Sequence, residues 1–292
     1  MNDAFVVSLL SVVPKHPTAR FMGWNARLRL PAPLQRALLR WYVKAYKVDL
    51  TECEGSIEDY ASLAEFFVRP LRPGVRPVDP DPDVLVSPVD ARVHTFGRIE
   101  QGGFFQADGK KASIAELIGA GDPRCPAIGP QFAEKFEGGG FAVLYLSPRD
   151  YHRVHMPITG TLRSMTYIPG KLFSVNTTTA ENVRSLFARN ERAVCIFDTE
   201  AGPMAMILVG AMIVAGIETV WAGQVAPPPR EITTRQYQET EAAPVLQKGE
   251  EMGRFKLGST VILLFGKDQV DWLEQYEALT PTRLGEALAR RR

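Results

Sequence analysis

From residue 84 onward the chain is built of short apolar runs, rich in β-branched and aromatic residues and cut apart by glycine and proline, and this punctuation constrains the fold more than any other feature. Residues 84–86, 141–146, 161–168, 193–197, 206–214 and 261–265 read as strands. Helical patterning in this part is confined to residues 180–189 and 272–279. Upstream the character changes. Residues 5–13 make a short greasy helix candidate, and after Pro31-Ala32-Pro33 a second helix sets Leu34, Leu38, Trp41 and Ala45 on one stripe and Arg36, Arg40, Lys44 and Lys47 on another. Ser62 with Glu65 spells a capping box that opens a short helix through Phe66-Phe67, which Pro70 stops. Pro73, Pro77, Pro80 and Pro82 then impose an extended, stiff path. The expected fold is α+β: an N-terminal amphipathic helical section over residues 1–69, a proline-rich connection over 70–83, and a β-rich catalytic domain over 84–292.

A length of 292 residues with 45% hydrophobic side chains supports a sizeable core and about two domains. The net charge of +1 argues against a nucleic-acid binder driven by bulk charge. Cys53, Cys125 and Cys195 are scattered and odd in number, which fits neither a disulfide framework nor a zinc site and points to a reducing compartment. The N-terminus lacks a basic region and a cleavage signal, and the most apolar stretch, residues 204–216, is too short for a membrane span. The basic amphipathic helix instead reads as a peripheral membrane contact, each cation near an anionic leaflet contributing ~1 kcal/mol. Its bland alternative is a helix whose apolar stripe packs on the protein. Gly138-Gly139-Gly140 lacks the Lys-Ser/Thr ending of a nucleotide loop and reads as a flexible loop.

Leu257-Gly258-Ser259-Thr260 runs straight into the apolar segment 261–265. A Gly-Ser bond at the mouth of a buried strand can cut itself: serine Oγ attacks the preceding carbonyl to give an ester, β-elimination opens it, and hydrolysis of the dehydroalanine leaves a pyruvoyl group. A plain turn at Gly258 is the competing interpretation. General acid–base chemistry would fall to a histidine, and the chain holds only His16, His94, His152 and His155. An extended backbone puts His152 and His155 on opposite faces, a turn or helix on one side. No metal is assigned, since no His-Glu-x-x-His pattern is present. Arg149, Arg153 and Arg192 are possible phosphate partners, with a surface role as the default.

The segment from Lys248 to Thr260 resembles the processing-site motif of the phosphatidylserine decarboxylase family in its bacterial, membrane-associated form. Tyr145 to Pro157 resembles the family's histidine motif and Ser87-Pro88-Val89-Asp90 its aspartate motif, with Ala91 standing where glycine is usual. Gly170 to Asn176, Leu186 to Arg192 and Glu218 to Gly223 match as well, in family order. The resemblance implies a proenzyme cut between Gly258 and Ser259 into a β chain of residues 1–258 and an α chain of residues 259–292. It implies a covalent pyruvoyl cofactor derived from Ser259 that forms a Schiff base with phosphatidylserine and releases CO2 to give phosphatidylethanolamine. Asp90, His155 and Ser259 would act as a triad, with His152 at the substrate or merely a satisfied histidine. A homodimer on the cytoplasmic face of the cell membrane, drawing its substrate from an anionic membrane, completes the expectation. The alternatives are a hydrolase using the same three residues without self-processing, a non-catalytic membrane module, and a pyruvoyl decarboxylase of a soluble amino acid.

Overall fold

A computed structural model describes residues 26, 28–105, 111–125, 128–175, 183, 185–211, 216–226, 231–237, 243–256 and 259–292. The apolar runs assemble into one large antiparallel sheet. Across it lie, in order, Thr233–Gln236, Gly160–Ile168, Arg192–Thr199, Gly202–Gly210, Ser259–Lys267, Gly139–Leu146, Ala91–Arg98 and Pro281–Thr282, with Val245–Leu246 also pairing Gly160–Ile168. The strand that comes late in the chain therefore lies in the middle, and its first residue, Ser259, pairs with Leu146 on one side and Gly210 on the other.

Both faces of this sheet are covered. Val261, Leu263 and Phe265 belong to one core, Ile262 and Leu264 to the other. Side chains alternate across a strand, so an unbroken apolar run is what two-sided burial requires. The first core is closed by a smaller sheet of Gly223–Ala226, Ile217–Thr219, Glu251–Phe255 and Arg153–His155, and by a three-stranded one of Val84–Val86, Ala287–Arg291 and Val270–Trp272. The second is closed by the hairpin Gly103–Phe105 with Lys111–Ser113, the helix Ile114–Ile118 and the short helix Leu186–Arg189.

Several sequence expectations change here. Residues 272–279 are not helical: Val270–Trp272 pairs with the C-terminal strand, and Leu279 turns the chain at a φ of 68°. Sheet pairing outweighs local propensity. Gly139 and Gly140 are strand residues, not a loop; a Cβ on Gly139 would sit 1.9 Å from the Phe265 carbonyl, so the close crossing of the two strands demands glycine. The strand expected over 206–214 is Gly202–Gly210, and residues 212–215 lie outside the described residues, as do 5–13, 180–182 and 184.

The helix Ala32–Tyr46 begins with proline in its first turn and ends on Lys47 in the left-handed region, and it buries Gln35, Leu39 and Tyr42. Tyr42 meets Phe66 and Phe67 edge-on and donates its hydroxyl to the Pro148 carbonyl at 2.6 Å. Ser62 caps Leu63–Phe67 by accepting from the Glu65 amide at 3.2 Å, while the Glu65 carboxylate reaches back to the Ala61 amide. The proline-rich connection is strapped to the body, Asp79 N donating to Gly285 O and Lys248 Nζ to Asp81 O.

Candidate active site

Ser259 opens the central strand, and its side chain shares a face with Val261 and Leu263, the face covered by the sheet that carries Arg153–His155. It is completely buried, and among the described residues its Oγ has no hydrogen-bond partner. Leaving a buried hydroxyl unpaired costs about 1–3 kcal/mol, so such an atom calls for an explanation. Leu257 and Gly258, the residues on the other side of the expected cut, lie outside the described residues. The chain reaches Ser259 from Glu251–Phe255, whose last amide donates to the His152 carbonyl at 2.9 Å. One segment thus joins the histidine motif to the serine.

The histidine motif is extended at Arg153–His155, which answers the open question of its conformation. His152 is fully buried against the Phe67 ring, 4.1 Å between centroids, and its Nδ1 lies 2.8 Å from the Asp150 carbonyl. A carbonyl only accepts, so Nδ1 carries the proton and Nε2 keeps a buried lone pair with no partner among the described residues. Burial pushes this imidazole down to about 3. His155 follows the same pattern: Nδ1 is 2.9 Å from the Gly249 carbonyl, and Nε2 is 3.3 Å from the Tyr151 hydroxyl. Burial lowers its pKa as well, opposed by the Gly249 hydrogen bond and by the fields of Glu251 and Asp90. Tyr151, pushed up to about 12 by burial, keeps its proton and donates to Nε2.

Asp90 departs from its expected partnership. Its carboxylate is clamped by Arg76, with Nε at 2.9 and 3.2 Å and Nη2 at 2.6 Å, and Oδ1 also accepts from the Leu284 amide at 2.9 Å. Among the described residues it makes no hydrogen bond to His155. The reason is charge: a guanidinium outcompetes a neutral imidazole N–H for a carboxylate. The loop still lies beside the histidine, since His155 N donates to Pro88 O at 2.9 Å. Asp90 acts on His155 through its field, and the Gly249 carbonyl does the orienting.

The three arginines separate. Arg192 is buried and gives four of its five N–H donors to the carbonyls of Glu116, Leu117, Ala188 and Asn190 at 2.5 to 2.9 Å, which makes it a brace of the backbone. Arg153 pairs with Glu251 at 3.0 Å and donates to Val68 O. Arg149 stays half-exposed. The larger cleft, about 820 Å³ and lined by Lys171, Arg189 and Arg192, holds none of Asp90, His152, His155 or Ser259. Sequence reasoning missed Arg76, Tyr151, Gly249 and Phe67. Tyr151 and Gly249 stand inside the quoted motifs, whereas Arg76 and Phe67 carry no local signal of contact with residues so far along the chain.

Comparison with known proteins identifies the family. A family model described as phosphatidylserine decarboxylase matches residues 63–290. A protein of Pseudomonas fluorescens Pf-5 named phosphatidylserine decarboxylase proenzyme is 53% identical over 288 residues, covering 97% of this chain and 96% of its own length. Proteins with the same name from Stutzerimonas stutzeri A1501 and Pseudomonas fluorescens Pf0-1 are each 51% identical, over 99% of this chain and 95% and 99% of their own lengths.

Proposed function

The chain belongs to the phosphatidylserine decarboxylase family, and on that footing we propose that it cuts itself between Gly258 and Ser259 and then converts phosphatidylserine to phosphatidylethanolamine and CO2. The observation that carries this is the buried, unpartnered Oγ of Ser259 at the mouth of the central strand.

We assign His155 as the base for that hydroxyl. Its Nε2 is the unprotonated nitrogen, set by the Gly249 hydrogen bond on Nδ1, and burial keeps the ring neutral near pH 7. The Tyr151 hydroxyl that donates to Nε2 at 3.3 Å must give way before Ser259 Oγ can reach it. Asp90 favours the imidazolium formed as the proton leaves Ser259, through its field. Attack of Oγ on the Gly258 carbonyl, elimination and hydrolysis then separate a β chain of residues 1–258 from an α chain of residues 259–292. The pyruvoyl group left at residue 259 supplies an electron-accepting carbonyl that supports loss of CO2 from an α-amino acid headgroup. The site fits such a group: the buried hydroxymethyl, partnerless among the described residues, would become a methyl that needs no hydrogen bond, and the ketone would stand where the Ser259 nitrogen is now, at the start of the strand between Leu146 and Gly210. His152, neutral and with a free Nε2 lone pair, is the substrate-side residue.

Peripheral attachment to the cytoplasmic face of the cell membrane is part of the same proposal. Leu34 and Trp41 are 58% and 61% exposed on the helix that also carries Arg36, Arg40 and Lys44. Among the described residues no helix is long and apolar enough to cross a membrane. The homodimer stands as a further expectation.

Intact mass under denaturing conditions tests the processing. The expected result is a long chain ending at Gly258 and a short chain lighter by one ammonia than the peptide from Ser259, with Ser259→Ala uncut and His155→Ala slowed. A single unmodified chain, persisting with membranes present, overturns the proposal in favour of a hydrolase or a membrane module.

A further inference from the structure

A second cleft, about 310 Å³, opens between the helical section and the β-rich body. It reaches from Lys47, at the end of the amphipathic helix, to Asp90 and Tyr151. Tyr151 is the residue whose hydroxyl touches His155 Nε2. The cleft therefore runs from the end of the basic helix to a residue that touches the candidate base, while His155 and Ser259 themselves do not line it.

Its electrostatics are unbalanced at one residue. Arg69 lines the cleft, is only 3% exposed, and rests on the Phe66 ring. One guanidinium nitrogen, Nη2, braces the loop by donating to the Arg149 carbonyl at 2.9 Å and, more weakly, to the Asp150 carbonyl at 3.4 Å. Among the described residues Nε and Nη1 have no acceptor, and no carboxylate pairs with this cation. A buried charge without a counter-ion is strongly disfavoured unless an anion completes it. Arg76, beside it, is already neutralised by Asp90 and Glu52. Arg149 also lines the cleft, its side chain 48% exposed and only 3.6 Å from Asp150, too long for a good hydrogen bond. One buried and one exposed cation thus share a concavity.

Building on the function proposed above, we infer that this cleft binds the phosphodiester of a phospholipid headgroup, with Arg149 as the exposed cation that meets it and Arg69 as the buried cation that completes the field. Phosphate chemistry suits a forked guanidinium. A free phosphate shares that chemistry; the lipid source is favoured because Lys47, which lines the cleft, directly follows the basic helix that exposes Leu34 and Trp41.

The test uses full-length Ser259→Ala, which cannot cut itself, titrated by calorimetry with sn-glycero-3-phospho-L-serine and separately with inorganic phosphate. Saturable binding of the glycerophosphodiester, weakened at least tenfold by Arg149→Gln and much less by Arg124→Gln outside the cleft, supports the assignment. Inorganic phosphate binding as tightly and losing as much with Arg149→Gln overturns the headgroup as the ligand. Binding unchanged in both Arg149→Gln and Arg69→Lys, or no binding to Ser259→Ala at all, overturns the site. In the cut protein, Arg149→Gln should raise KM for phosphatidylserine in vesicles about tenfold at constant kcat; a fall in kcat alone contradicts a binding role. Failure of the processing proposal is read separately, as an uncut wild-type chain.

Discussion

Burial, more than any charged partner, sets the state of the two histidines at the site. His152 is held near a pKa of about 3 in the folded chain, below the value near 6.5 of an unfolded one. Between those values the unfolded state binds the extra proton, so stability is complete above about pH 6.5 and is lost as pH falls below it, by about 1.4 kcal/mol per unit. Urea unfolding of Ser259→Ala should show that loss between pH 7 and pH 5, and His152→Asn should flatten the pH dependence; an unaltered slope contradicts the burial account. Because burial depresses His155 too, self-cleavage should continue at full rate slightly below pH 6.5 and fall only at more acid pH, followed by gel over time. The Arg76–Asp90 clamp yields another test. Arg76→Gln leaves the Asp90 carboxylate with the Leu284 amide alone and should cost about 3 kcal/mol in denaturant unfolding, with slower processing.

The central strand Ser259–Lys267 joins chemistry to architecture. It is hydrogen-bonded on both sides, and its apolar residues fill the cores on both faces. A cut before Ser259 therefore severs the chain without releasing the strand. The α chain should co-elute with the β chain in native gel filtration and separate only in denaturant; spontaneous separation in buffer would contradict this sheet order. Leu263→Ala should destabilise by about 2–5 kcal/mol through the cavity it leaves. The same two-sided packing explains the glycines at 139 and 140. An isolated Gly-Gly-Gly suggests a loop, and only the crossing strand at Phe265, against Gly139, and the side chains of Val270 and Trp272, against Gly140, show why side chains are excluded.

For the molecule as a whole, the helical section is fastened to the body through one face of Ala32–Tyr46 and leaves the opposite face to solvent. Gln35, Leu39 and Tyr42 pack inward, while Leu34 and Trp41 stand outside with the cations. Replacing Leu34 and Trp41 together with Ser removes apolar contact with lipid without touching the packed face. Flotation with anionic vesicles should fall severalfold while the unfolding midpoint stays within about 0.5 kcal/mol of wild type. High salt should weaken the remaining attachment. Undiminished flotation would place the membrane contact elsewhere on the chain.

Sequence by itself determined the α+β class, the strand at 261–265, the capped helix before Pro70 and the identity of Ser259, His155 and Asp90 as residues to watch, because strand period, capping chemistry and contiguous motifs are local properties. Tertiary structure alone decided which partners those residues keep. Asp90 meets Arg76 across a stretch of prolines, His155 turns to the Gly249 carbonyl on another segment, and Phe67 stacks on His152 from the helical section. It also decided that residues 272–279 leave the helix their pattern favours, since the C-terminal strand offers backbone partners there. The physical reason is common to all of these. Hydrogen bonds and burial depend on groups far apart in the chain, and those groups meet only once the late strand has been inserted at the centre of the sheet.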